Sequence, residues 1–480
     1  MTDPHPFWVA GRPRTSGELH TVHNPYDGSP VAEHYLPAPE DIEAAVVAAD
    51  TSQAAANATS AAQRADALMH VSQQISERSE EIAHLITAEN GKPLMWSRIE
   101  AIRAVSTFRW AAEEARRWSG ELQRLDTEAS AVGRMALVRR FPHGPVLGIA
   151  PFNFPLNLVA HKVAPALAVG APIVIKPAPA TPLTALLLGE ILAETDLPPG
   201  MWSVLPLDNQ ATAELVADPR LPVISFTGSE TVGFHIQSEQ PTKHVVLELG
   251  GNAAAAVLAD WSSDDDLDWA AQRIATFGNY QAGQSCVSVQ RILVAESLYD
   301  AFTPRLVAQM QALPTGSPLD DGVVVGPVIN TAAADRIESW ITDAVAAGAK
   351  ILTGGSRSDT TIAPTLVADA PADSAVACEE VFGPVMTITT VRDTDDAFAT
   401  INNSRFGLQA GIFTHNLKTA FRAHRELHVG GVIIGDVPSF RADQMPYGGV
   451  KSSGFGREGL RSAMVDFTHD RVLVLTGLDL

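Results

Sequence analysis

Val146-Leu147-Gly148-Ile149-Ala150-Pro151-Phe152-Asn153-Phe154-Pro155 is a short apolar run stopped by a proline-flanked turn, and the unit recurs downstream. Residues 158–169 carry a helical pattern, followed by the strand-like Ile173-Val174-Ile175-Lys176 and a second helical stretch over 183–194. Trp202-Ser203-Val204-Leu205, helical 211–217, Val223-Ile224-Ser225-Phe226, helical 231–238 and Val245-Val246-Leu247-Glu248-Leu249 continue the series. Strands separated by helices at this spacing predict a parallel sheet with crossover helices, the doubly wound α/β architecture. Working outward, residues 1–35 read as turn-rich, 39–91 as helical up to the breaker Gly91-Lys92-Pro93, and 96–119 as a further helix. After Gly251 a second α/β region is expected, with strands over 291–294, 350–352, 385–391 and 431–434. Runs 135–141 and 471–475 stand outside both blocks as a pair of strands suited to contact between subunits.

A chain of 480 residues is too long for one ordinary core and predicts two or three domains. Its 46% hydrophobic and 19% charged content is that of a folded globule. The formal charge of -21 argues against a nucleic-acid partner and against an anionic membrane surface. The sequence over 1–5 lacks the basic and apolar regions of a signal peptide, and no apolar run reaches bilayer length, so a cytoplasmic protein is expected. Two cysteines give neither a disulfide framework nor a zinc spacing, and no metal is expected.

One of those cysteines, Cys286, follows the turn Gly283-Gln284-Ser285 and precedes an apolar strand-like run. The other, Cys378, abuts Glu379 and Glu380, whose charge opposes a thiolate. A nucleophile needs partners, and four sit at strand or turn positions. Phe226-Thr227-Gly228-Ser229 opens a helix after a strand, a seat for a pyrophosphate or simply a turn capped by Ser229. Lys176 ends a strand where it either reaches a ribose or lies exposed. Glu248 stands in an apolar run, as a general base raised by burial or as a structural carboxylate. Asn153 either donates to an oxyanion or merely shapes its turn. Taken together these residues make one site.

Along nearly its whole length the chain resembles the aldehyde dehydrogenase superfamily. The resemblance rests on Pro151-Phe152-Asn153-Phe154-Pro155-Leu156, Ile175-Lys176-Pro177, Phe226-Thr227-Gly228-Ser229, Glu248-Leu249-Gly250-Gly251 and Gly283-Gln284-Ser285-Cys286. Glu379-Glu380-Val381-Phe382-Gly383-Pro384 and Pro446-Tyr447-Gly448-Gly449-Val450-Lys451 complete it. It implies a Rossmann-like cofactor domain (1–120 and 144–250), a catalytic α/β domain (251–455) and a small β oligomerisation flap with a C-terminal tail (121–143 and 456–480). It implies oxidation of a small aldehyde to its acid with NAD or NADP, in a homodimer or homotetramer. Cys286 would form the thiohemiacetal and thioester, Asn153 hold the oxyanion, and Glu248 activate the hydrolytic water. Ile149, Phe152, Lys176, Gly228, Ser229, Gly250, Glu380 and Phe382 match cofactor-binding positions. Pro179 stands where many NAD-preferring relatives carry a ribose-binding Glu. The run 157–166 and Cys286-Val287-Ser288-Val289-Gln290-Arg291 resemble the lactaldehyde dehydrogenase-like branch, which borders the non-phosphorylating glyceraldehyde-3-phosphate dehydrogenases. Arg103 and Arg441 match substrate-facing positions there, so the expected substrate is polar or anionic: lactaldehyde-like, carboxylated, or a phospho- or phosphono-aldehyde. A CoA-acylating dehydrogenase and a non-catalytic binding or structural protein on the same fold are the alternatives; Glu248 weighs against the first, and the retained Cys286, Glu248 and Asn153 against the second.

Overall fold

The structure, a computed structural model, describes residues 3–479. Five parallel strands form the middle of an eight-stranded sheet, in the spatial order Trp202–Val204, Ile173–Lys176, Val146–Ile149, Val223–Thr227 and His244–Glu248. Ile173, Val174 and Ile175 are wholly buried because helices cover both faces of the sheet. The crossover helix Asn157–Val169 is buried along its entire length. It lies between the sheet and the outer helices Ala61–Glu77 and Leu94–Arg117, which explains why it shows no polar stripe. Gly170, at φ +78°, ends it in a left-handed cap.

The register aligns the carboxyl ends of the sheet: Ile149 lies opposite Lys176, and Thr227 opposite Glu248. In an open parallel sheet this edge faces the ligand crevice. A second, seven-stranded sheet runs Lys350–Thr353, Thr365–Ala368, Val385–Val391, Val289–Ala295, Ala253–Val257, Gln409–Phe413 and Gly431–Ile434, parallel except at its first member. Three antiparallel strands, Thr468–Thr476, Arg134–Pro142 and Glu121–Arg124, form the separate flap.

Three expectations need correction. The turn-rich segment 1–35 holds four short strands, and Phe7–Val9 and Arg12–Arg14 extend the first sheet antiparallel. Phe7 and Trp8 anchor them by burial, and the Trp8 indole donates to Leu186 O at 2.9 Å. The second sheet contains Ala253–Val257, Thr365–Ala368 and Gln409–Phe413, none of which the sequence reading named. Ala253–Val257 is four alanines and a valine, a poor strand former by propensity that lies at the sheet's interior by tertiary packing. Finally, residues 456–467 do not join the flap. Gly454–Phe455 pairs with Leu247 and Glu248, and Leu460, Met464 and Phe467 pack into the core of the first sheet. Only Thr468–Thr476 of the expected tail is flap strand. The outer limits set at residues 1 and 480 lie outside the described residues. No described helix is long and apolar enough to cross a membrane.

Candidate active site

The carboxyl edge of the first sheet meets the second sheet across a cavity of about 310 Å³. From the first sheet's side come Phe152, Asn153, Gly228, Ser229, Glu248, Gly250 and Glu458; from the other, Cys286, Glu380, Phe382, Arg441 and Tyr447. A second cavity shares Arg103, Phe154, Tyr280, Ser439 and Arg441 with the first and adds Trp96, Phe277 and Phe440. The two arginines therefore stand where the spaces join, and Glu380, Phe382 and Ser229 belong to the first alone.

A strained turn places the thiol. Gln281 and Ala282 have φ of +42° and +58°, costly for residues with a Cβ, and Gly283 follows at +67°. At Gly283 a Cβ would lie 2.1 Å from Gly383 O, and at Gly251 one would lie 2.2 Å from Cys286 O, so both positions require glycine. Cys286 is half-buried, with Sγ 3.1 Å from the Tyr447 hydroxyl. Burial pushes its pKa up to about 12, with Glu380 and Glu248 adding to the rise while Tyr447 and Arg441 oppose it. The resting group is thus a neutral thiol, which needs a base before it can attack.

Asn153, buried, donates through Nδ2 to Gln284 O at 3.0 Å. That bond uses one of two amide hydrogens and leaves the other for the cavity. Among the described residues no hydrogen bond takes up the Cys286 N–H. The turn bearing Asn153 is fixed from below: Asn90 donates to Phe152 O at 2.6 Å, and the Glu100 carboxylate accepts from the N–H groups of Leu156 and Asn157 at 2.9 and 3.0 Å. Glu100 is itself paired with fully buried Lys92.

Both carboxylate oxygens of Glu248 are buried without a partner. Burial first, and the nearby Glu458 carboxylate second, raise Glu248 well above the usual carboxylate range. Burial pulls Glu458 the same way, but Lys162 and Arg441 win and hold it below its ordinary value. Lys162 Nζ lies 3.3 Å from Glu458 and 2.7 Å from Thr227 Oγ1. Arg441 donates to Glu458 at 3.0 Å and covers the Tyr447 ring at 3.9 Å, with its Nε buried and unpaired. Arg103 donates to Asp443 at 2.8 Å, and its Nε is also buried without a partner. Asp443 further accepts from His161 and Asn157 at 3.0 and 3.3 Å.

The cofactor positions divide. Phe152 meets Phe382 edge-on at 5.8 Å, and Phe382 itself adopts φ +49°. Glu380 accepts from Gly251 N at 2.8 Å, and burial raises it to about 7. A Cβ at Gly250 would lie 2.4 Å from the other Glu380 oxygen, so glycine opens that space. Ser229 caps the helix Glu230–Glu239. Ile149 and Lys176 end adjacent strands outside the cavity lining, and burial lowers the Lys176 ammonium to about 8. An open glycine cradle, a buried carboxylate, a capped helix start and a lysine short of solvent suit a dinucleotide's ring, ribose and phosphates. Pro179 is exposed in the turn beyond Lys176. Among the described residues no cluster of His, Cys, Asp or Glu could hold a metal.

Cys378 lines a different cavity with Arg291 and Arg405, and its thiol faces Asp373 O at 3.5 Å. The chain turns it away while Glu380 points inward. Sequence reading gave no role to Tyr447, Lys162, Asp443 or Glu458. His161 and Lys162, two ionisable residues inside an otherwise apolar helix, were the available signal, because buried charge demands partners.

Residues 11–473 match the profile described as the Aldehyde dehydrogenase family. The chain belongs to the aldehyde dehydrogenase family. It is 39% identical over 470 residues to 3-sulfolactaldehyde dehydrogenase of Priestia aryabhattai, covering 98% of this chain and 97% of that one. Among solved structures it is similar to aldehyde dehydrogenase 21 of Physcomitrella patens in complex with the reaction product succinate. The identity is 42%, the coverage 99% of both chains and the TM-score 0.97. It is also similar to the NADP-dependent glyceraldehyde-3-phosphate dehydrogenase of Bacillus halodurans C-125 complexed with NADP, at 34% identity, TM-score 0.93 and coverage of 98% and 99%. Oxidation of a small polar aldehyde with NAD or NADP is the chemistry this aldehyde dehydrogenase cavity has to perform.

Proposed function

We propose that this aldehyde dehydrogenase oxidises a small aldehyde bearing a carboxylate or sulfonate, with Arg103 and Arg441 receiving the anion. The supporting observation is that both guanidinium groups line the Cys286 cavity and each keeps a buried Nε without a partner. An unsatisfied buried N–H costs about 1–3 kcal/mol, which an anionic oxygen would offset. The relatives support the same class: one acts on 3-sulfolactaldehyde, and another was solved with the dicarboxylate succinate. A sulfonate lies outside the phospho- and phosphono-aldehydes considered from sequence, although the chemistry of recognition is shared.

The residues' work follows from where they lie. Glu248, once ionised, takes the thiol proton, and Cys286 Sγ bonds to the aldehyde carbon as the carbonyl π pair moves to oxygen. That oxyanion accepts from the second Asn153 amide hydrogen and from the Cys286 N–H. A nicotinamide held by Phe382, Glu380 and Ser229 would supply the hydride acceptor, and loss of that hydride would leave the acyl group on Cys286 as a thioester. Glu248 gives the thiol proton up to solvent, then removes a proton from water; the hydroxide adds to the thioester, and the C–S bond breaks to release the acid and the Cys286 thiolate. Glu248 in the cavity favours water over CoA as the acyl acceptor. The exposed Pro179 removes a charge that would repel a 2′-phosphate and leaves NADP admissible. In this reading residues 1–120 with 144–250 serve the cofactor, 251–455 carry the thiol, and the flap joins subunits of a cytoplasmic oligomer.

The test is NADH and NADPH formation with propionaldehyde, lactaldehyde, succinic semialdehyde, sulfoacetaldehyde and 3-sulfolactaldehyde. The anionic aldehydes should exceed the neutral ones in kcat/KM by about 10²-fold or more, the worth of one or two charged hydrogen bonds. Arg103→Ala should raise KM for the anionic substrates about 10-fold or more and leave propionaldehyde within a few-fold. Equal kcat/KM across the panel would sink the anion reading.

A further inference from the structure

Behind the thiol, four ionisable side chains from separate parts of the chain meet out of water. Lys162 comes from the buried helix Asn157–Val169, Glu248 from the end of a sheet strand, Arg441 from the loop after residue 434, and Glu458 from the segment before the helix Leu460–Asp466. Glu458 takes three bonds, from Lys162, Thr227 and Arg441, whereas Glu248 takes none. Both carboxylates line one cavity, and Glu458 is bonded to Thr227, the residue opposite Glu248 in the sheet register, so the surrounding cations bear on the charge of both. The other charged or titratable neighbours are Arg457, which donates to Gly449 O and Gly456 O; His161, held by Asp443; and Cys286 with Tyr447. Of the cations in the cluster, Arg441 alone lines the cavity that holds the thiol. It faces substrate on one side and Glu458 on the other.

We propose that Arg441 is a positioning residue for proton transfer as well as an anion ligand: bonded to Glu458 and lining the same cavity as Glu248, it offsets the Glu458 charge and keeps the Glu248 proton mobile. The inference rests on the reading of Glu248 as the base. Its balance is simple. Each proton that Glu248 takes, first from the thiol and then from water, must leave again before its next use, beside the standing charge of Glu458. A guanidinium shared with Glu458 offsets that charge, and without it Glu248 releases its proton only at higher pH. Direct substrate recognition would be felt only by anionic substrates; control of the proton is felt by every substrate.

The readout is the pH profile of 4-nitrophenyl acetate hydrolysis, an uncharged ester that needs no cofactor. In Arg441→Gln the acid limb should move up by about one pH unit, the least that loss of an opposite charge at such a distance brings. Arg441→Lys keeps a cation and should leave the limb near its wild-type position, while KM for an anionic aldehyde rises in both. If Arg441→Gln does not fold, Glu458→Gln carries the test: one negative charge fewer beside Glu248 should move the limb down. A limb unmoved in the folded variants overturns the proposal, with Arg441 then an anion ligand only. Glu248→Gln separates the two readings. Should it keep the wild-type limb, Glu248 is not the base; should it flatten the limb while Arg441→Gln leaves it in place, only the present inference fails.

Discussion

Cys286 has the wrong protonation state for its work, and that is informative. Its thiol is held neutral by burial, and Glu248, the proposed base, is also held protonated by burial and by Glu458. Turnover therefore depends on moving one proton out of a dry cluster, and the rate should climb with pH as Glu248 ionises. In Glu248→Gln both the acylation burst and the steady state should be suppressed, because the same carboxylate takes the proton from the thiol and then from water; rapid-quench trapping of the acyl-enzyme would report it. Asn153→Ala removes the oxyanion donor, not the nucleophile, and should lower kcat by about 10²–10³-fold with cofactor binding retained. A drop below tenfold would mean the Cys286 N–H suffices. Cys286 and Glu248 were legible in sequence because a thiol behind a glycine turn and a carboxylate in an apolar run are locally odd. Tyr447 and Glu458 were not, because a tyrosine and a glutamate look ordinary until the fold brings them beside the thiol.

Turns and short strands carry the next level of constraint. Gly251 ends the first sheet, and a methyl group there would lie 2.2 Å from the Cys286 carbonyl, which cannot yield without moving the thiol. Gly251→Ala should therefore cut kcat by about 10²-fold or more, the usual cost of misplacing a reacting atom by an ångström. A crystal structure or cofactor titration would show the rest of the fold preserved. In the hairpin of Leu19–His23 and Pro30–Tyr35, His34 is buried with Nδ1 on Tyr35 O at 3.2 Å and Nε2 unpaired. Burial, chiefly, lowers its pKa from 6.5 to about 4, opposed only by that backbone bond. The neutral form is thus the native one, so its contribution is complete above pH 6.5 and lost as pH falls towards 4. By pH 5 the loss is about 2 kcal/mol. Urea midpoints should fall between pH 7 and pH 5 by less in His34→Gln than in the wild type. The parallel strands of the first sheet could be read from alternation alone, since each is bounded by glycine or proline. Ala253–Val257 could not: a run of alanines becomes a strand here because neighbouring strands pair with it along both edges.

At the scale of the whole molecule, the flap leaves a run of consecutive apolar residues in water. Val472, Leu473 and Val474 are 57%, 55% and 47% exposed on Thr468–Thr476, with Leu122 61% exposed on the strand at the opposite edge of the flap sheet. A contiguous apolar strip on an exposed strand is a contact surface or an aggregation hazard. If the flap joins subunits as proposed, Val472→Asp with Val474→Asp should lower the mass seen by light scattering, and an unchanged mass would remove the flap from assembly. The same stretch of chain has another consequence. Gly454–Phe455 closes the first sheet beside Glu248, Glu458 completes the buried charges, and the flap strand follows within a few residues. A ribosome makes Asn153, Glu248 and Cys286 long before it makes these parts. The nascent polypeptide thus carries its thiol beside an unfinished pocket, and competence for turnover is switched on by a late folding event.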